Sequence, residues 1–251
     1  KDVIGALSKA LTLTTPKTPV QKVDDARYYL VGAYLAYGDA HRAAIVGESL
    51  ARAKPPTRRS PEGAATAIQT YSALQNRHPD DEALRRRLED LANFVLSPDN
   101  QRLWGSDPVT GLAHYHLALS ARRANDPKMA LAHLAKIPKD FNDYIYTQGQ
   151  AVFIAEAARE KAQDKKEKQF FEDQARAALA RMPTLTPKNE SSTVIAMYFY
   201  SKLELAKYHY IDAIEELNAR QELKAVKKCN ELSAYVKALS AEFQQVSMHK
   251  G

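Results

Sequence analysis

A chain of 251 residues, 45% hydrophobic and 26% charged, carries enough apolar surface for a substantial core and too much for a disordered polymer. Net charge is +6, and residues 1–60 hold 10 basic against 5 acidic side chains, a mild tilt that reads as solvated surface. No apolar run approaches the roughly 20 residues that span a bilayer, and the single cysteine, Cys229, excludes an internal disulfide framework and a thiolate metal site. The chain as given begins at Lys1 rather than Met, which leaves room for a preceding targeting segment, so the compartment stays open.

Residues 1–23 read as an N-terminal segment. Val3, Leu7, Ala10 and Leu11 share one face there, ahead of the stretch TLTTPKTP, as in an interaction helix, a lid or the remnant of a further domain. Beyond it helical periodicity is everywhere, and sustained period-2 alternation is absent. The expected helices cover 24–37, 39–54, 62–77, 80–96, 109–124, 127–137, 140–162, 167–182, 190–206, 208–219 and 222–246. Loops are expected at 54–61, 97–108 and 183–189. Gly38-Asp39 and Asn125-Asp126-Pro127 are short breaks that fold neighbouring helices back antiparallel. Asp39 and Asp126 are suited to capping the next helix, and Pro127 to its first turn. The chain is all-α.

One frame recurs. In MALAHLAKIP, Ala130, Leu134, Ile137 and Pro138 align without a gap with Ala175, Leu179, Met182 and Pro183 of DQARAALARMP, 45 residues on. Spacings of four and three put the first three residues on one helical face. The small residue admits a neighbouring helix, the large ones fill the groove beside it, and proline ends the helix. Ala67, Tyr71, Leu74 and Pro79 repeat the order, and Ala213 and Leu217 keep the spacing without the proline. Such a unit buries its apolar face by stacking on copies of itself. The alternative is a globular bundle whose alanine-rich helices recur by chance.

These features resemble the tetratricopeptide repeat family, a helix-turn-helix unit of about 34 residues. The resemblance spans about 24–220. It is clearest at 114–138, where Leu117, Ala118 and Ala130 fit the close-packing positions. In 26–55, Tyr28, Gly32, Gly38-Asp39 and Ala43 or Ala44 are the counterparts. The alanines recur at 45 and 38 residues rather than 34, so the repeats are irregular. The resemblance implies a right-handed α-solenoid of antiparallel helix pairs whose first helices line a concave surface. Carried over position by position, it places Tyr29, Tyr115, Tyr146 and Tyr198 in that surface. Gln150 and Lys202 follow one turn along, and Arg122 and Phe153 one turn further. A row of tyrosines suits an extended or helical peptide, although tyrosines also bridge core and solvent, and both readings stand. The lysine–asparagine clamp of the family's chaperone-binding members has no counterpart on these faces.

Chemistry finds little foothold. There is no phosphate loop, Gly-x-Ser-x-Gly turn or His-Glu-x-x-His pair, and His114 and His116 point to different sides of a helix. No catalytic residue, cofactor or metal is expected. Arg85-Arg86-Arg87 is surrounded by Glu82, Glu89 and Asp90, and Arg52–Arg59 is the one uninterrupted basic cluster, too small for the broad stripe that phosphate binding uses. No nucleic-acid partner is expected. In the last segment, 221–251, Ala225, Cys229, Leu232, Val236, Leu239, Phe243 and Val246 form a heptad seam over 222–246, with Cys229 packed as a small hydrophobe. This helix reads as a cap on the repeats or as a seam for a homo-oligomer. The leading expectation is a non-catalytic scaffold that binds a protein or peptide; the alternative is a self-assembling structural subunit joined through its C-terminal helix.

Overall fold

The computed structural model describes residues 2–185 and 191–248. Among them are α1 (Asp2–Thr12), α2 (Val20–Tyr37), α3 (Ala40–Ala51), α4 (Arg59–Arg77), α5 (Glu82–Val95), α6 (Pro98–Trp104), α7 (Pro108–Arg123), α8 (Pro127–Leu134), α9 (Tyr144–Lys161), α10 (Lys165–Arg181), α11 (Ser192–Asn218) and α12 (Glu222–Met248). No strand occurs among the described residues. The protein is all-α. It divides into two compact units, Lys1–Asp126 with Lys136–Phe141, and Pro127–Ala135 with Asn142–Gly251.

In the first unit, α1 packs on α2, α2 on α3 and α3 on α4, while α5 and α7 pack on α4 and on each other. Local signals set the breaks. Gly38 takes φ 87° at the end of α2, a left-handed conformation that glycine adopts without a Cβ penalty, and the Asp39 carboxylate accepts the Arg42 N–H to start α3. Asp81 and Asp107 cap α5 and α7 in the same way, and Pro108 opens α7. The core runs from Ala44 and Ala51 through Ala64, Ala67, Ile68 and Tyr71 to Leu91, Val95 and Trp104. α3 and α4 approach most closely at Gly47 and Gly63, where a Cβ on Gly63 would lie 2.8 Å from the Gly47 carbonyl oxygen. Gly32, the glycine singled out by the repeat resemblance, has nothing within 4 Å of its Cβ position and makes no close approach.

In the second unit α9 is the central helix, packed against α8, α10 and α11, and α11 pairs along its length with α12. Asp164 and Ser191 cap α10 and α11. Met182, Leu185, Val194, Tyr198, Phe199, Leu239 and Val246 form one core cluster of this unit.

Three expectations need correction. The stretch 97–108 is not all loop. Ser97 is extended, Pro98 starts α6 directly after it, and the Asn100 amide donates to the Phe94 carbonyl at 2.7 Å to tie the short helix to the end of α5. The break expected between 206 and 208 does not exist. No glycine or proline stands there, and α11 runs on through Tyr208, which is fully buried. The heptad seam of the last helix is split: Ala225, Leu239 and Val246 are buried and Leu232 half-buried, whereas Cys229, Val236 and Phe243 are exposed. The other half of the seam against α11 is Lys228, Tyr235 and Glu242. Cys229 is therefore not a packed hydrophobe. Of the loop expected at 183–189, residues 186–189 lie outside the described residues.

The recurring frame does mark buried residues: Ala67, Tyr71 and Leu74, Ala130, Leu134 and Ile137, and Ala175, Leu179 and Met182 are all buried, as is Ala213. Ile137 and Met182, however, lie past the ends of α8 and α10 and are not on the helical face the spacing predicts. Leu217, the last member of the incomplete copy, is exposed. The Asn125–Asp126 turn falls at the division between the units, with α7 in the first and α8 in the second.

Candidate protein-binding surface

α9 and α11 meet at Gly149, where a Cβ would overlap Met197 and lie 3.3 Å from the Ser201 hydroxyl. The absent side chain lets the two helices close on each other. A buried carboxylate then ties them. Glu156 of α9 accepts hydrogen bonds from the Tyr208 hydroxyl, from Arg159 at 2.9 Å and from Lys207 of α11 at 3.0 Å. Burial by itself raises the Glu156 pKa, but these three donors outweigh it and hold the carboxyl below its usual range. Burial and the adjacent carboxylate push the Tyr208 hydroxyl well up, so it remains a donor. Lys207 also reaches Glu204 at 3.0 Å, which places an ion-paired border beside the joint.

On α9, Tyr146, Gln150 and Phe153 follow each other at spacings of four and three, on one face. Gln150 is buried, Tyr146 half-buried and Phe153 exposed. The Phe153 ring lies 6.2 Å from that of Tyr200 on α11, tilted by 58°. Leu203 stands one turn beyond Tyr200 and is 61% exposed. The result is an apolar strip across two helices, with the Lys207–Glu204 ion pair beside it. Burial first, then the nearby Glu204, raises the Tyr200 pKa, so its hydroxyl stays protonated at neutral pH.

Only part of the expected row is assembled here. Tyr146, Gln150 and Phe153 share the strip. Tyr198 and Lys202 do not join them. Tyr198 is 1% exposed, donates to Glu242 at 2.8 Å, and carries the Lys202 ammonium 5.1 Å from its ring centre. The reason is rotational. Met197 does face α9, but the next residue turns 100° towards α12, while Tyr200, three residues on, comes round to the open side. Tyr200 is absent from the sequence-derived row, and the aromatic run TVIAMYFY is the only signal for it. In the first unit, Tyr29 is exposed and stands edge-on to Tyr28 at 5.8 Å. Arg59 covers Tyr28 at 4.1 Å. Tyr115 is half-buried, edge-on to His116 at 5.4 Å, and Arg122 is exposed further along the same helix. Tyr29 on α2 and Tyr115 on α7 are on helices that both pack against α4.

A second feature, among α4, α5 and α7, is too small for a ligand. Ser72, Gln75, Arg85, Glu89, His116 and Ser120 line a space of the order of one water molecule. The buried Gln75 Oε1 and Arg85 Nε atoms of two of these residues have no hydrogen-bond partner. Two of the four cations in the basic cluster at 52–59 are drawn into ion pairs: Arg52 with Glu48, and Arg59 with Asp25 and Glu62. Among the described residues, no group of three or more His, Cys, Asp or Glu is placed to hold a metal ion. None of the described helices is long and apolar enough to cross a membrane. No protein-family model matches the chain, and no curated protein matches it in sequence.

Proposed function

We propose that the protein is a non-catalytic scaffold of the tetratricopeptide-repeat type, a right-handed solenoid of irregular helix pairs, that binds a peptide or protein segment along the strip between α9 and α11. The observation that carries this reading is the Phe153–Tyr200 pair, two aromatic rings held together across a helix joint, the first exposed and the second half-buried. Aromatic side chains offer large contact area at low entropic cost, and Tyr adds a hydrogen-bonding tip. The apolar strip with a polar edge fits an amphipathic helix or an extended segment with alternating apolar side chains. Antiparallel pairs joined by short turns, α2 with α3 and α11 with α12, agree with the repeat type.

The test is a selection from a random 12-residue peptide display library on the native protein, followed by calorimetric titration of the enriched peptides. Phe153→Ser with Tyr200→Ser is expected to weaken them by about 10–100-fold, the loss of one or two central aromatic contacts. Unchanged helicity and melting must accompany that loss. Failure to enrich any peptide, or equal affinity for both proteins, would overturn the reading.

A further inference from the structure

α11 and α12 form an antiparallel hairpin whose contacts run in order. Glu216 pairs with Lys228 at 3.2 Å, the ring of His209 meets Tyr235 at 5.5 Å, and Phe199 meets Phe243 at 5.1 Å. Contacts along α12 therefore recur at 225, 228, 232, 235, 239, 242 and 246, alternating three and four. Phe199 and Phe243 stand on one flank of this seam, and Tyr198 with Glu242 on the other. Seven-residue steps and 100° per residue extend the first flank. On α11 it takes in Tyr210 and Leu217, and on α12 it takes in Val226, Val236 and Phe243. Antiparallel helices turn in opposite senses when viewed down the hairpin, so both rows lie on the same side. All five residues are between 47% and 58% exposed.

The α12 row carries no charge from 226 to 243: between the apolar residues its positions are Cys229, Ser233 and Ser240. The other exposed side of the helix carries Lys224, Lys227 and Glu231. Depletion of charge along a solvent-facing apolar row is the pattern of an interface core.

We propose that this face is a docking surface for a second copy of the chain, so that two hairpins close a four-helix bundle about a two-fold axis. Each helix spans 27 residues, about 40 Å. Two of them side by side at about 10 Å present a face of roughly 800 Å², the share each partner contributes to a stable interface of standard size. A lone foreign helix covers the valley between the rows and leaves their outer sides wet. An identical hairpin covers both rows at once, apolar on apolar, with no charge buried. Leu203, seven residues before Tyr210, also falls on this row, so the face borders the α9–α11 strip there; Phe153 and Tyr200 lie off it, and the face stands whether or not they bind a peptide.

Sedimentation equilibrium tests it. The native protein is expected at twice the 28.0 kDa chain mass. Ser233→Glu with Ser240→Glu places two charges on the face without removing a contact, and is expected to raise the dimer dissociation constant at least about 100-fold. A second variant, Tyr210→Glu, is expected to act alike. Phe153→Ser with Tyr200→Ser is expected to remain dimeric, which separates this face from the peptide strip. A native protein that stays monomeric from about 1 to 100 μM, or a dimer that both charged variants leave intact, would overturn the proposal.

Discussion

His116 lies where α4, α5 and α7 meet, and burial, followed by the charge of Arg123, brings its pKa down to about 4. Arg85 and Glu89 of α5 and Gln75 of α4 line the same space. The unfolded chain takes up this proton near the ordinary value of about 6.5, whereas the folded chain does so only near 4. Stability is therefore untouched above pH 6.5 and falls as pH drops from 6.5 to 4, by about 3 kcal/mol in total. His116→Gln is expected to flatten a series of urea midpoints across that window; an unchanged slope would place the acid sensitivity elsewhere. Glu156 works through a lowered pKa, which gives stability that is present above the ordinary carboxylate range and lost as pH falls through the folded value. Glu156→Ala strands Lys207, Arg159 and the Tyr208 hydroxyl, and is expected to cost about 3 kcal/mol in urea unfolding. A cost below about 1 kcal/mol would mean that water takes over its partners. Neither side chain is legible in the sequence as a structural group, because a polar residue inside an alanine-rich helix carries no sign of which partners will surround it.

Among the helices, glycine separates into two roles. Gly63 stands where α3 meets α4, and the obstacle to a Cβ is the Gly47 carbonyl oxygen as well as the Leu50 side chain. A backbone atom does not move aside, so Gly63→Ala is expected to cost about 1–3 kcal/mol. Gly32 faces open space inside α2, and Gly32→Ala is expected to raise stability by about 0.5–1 kcal/mol through helix propensity. Thermal melting of the two variants should move in opposite directions; movement in the same direction would remove the close-approach argument. Helix starts are legible at Asp39, where a capping residue sets the boundary, and at Pro127, where proline does. Elsewhere the punctuation is missing or ambiguous. α11 passes through the expected break with no residue to stop it, and Pro98 begins a helix within an expected loop, since proline serves a helix start as readily as a turn.

Across the molecule, the fold is two compact helical units. The proposed contact between hairpins adds a linkage at this scale. If two copies associate through α11 and α12, the melting temperature of the native protein is expected to rise with protein concentration, while that of the Ser233→Glu, Ser240→Glu variant stays constant. Equal concentration dependence in both would assign the association to another surface. That Tyr146, Gln150 and Phe153 share one face of α9 is legible in the sequence, because they lie on one helix and follow its periodicity. Tyr200 is not, because the side of α11 that remains open depends on where α9 and α12 pack, and the repeat register points to Tyr198 instead.

Helical class, most helix starts and the small-large-large residues that become buried follow from the sequence alone, since period, caps and proline act within a few residues of one another. Packing between distant segments settles the rest: which side of each amphipathic helix meets a neighbour and which stays in water. On α12 that choice falls within a single turn, with Leu239 buried while Val236 and Phe243 remain exposed. The hydrophobic pattern is consistent with either side of such a seam, and it is the contact with α11 that selects one.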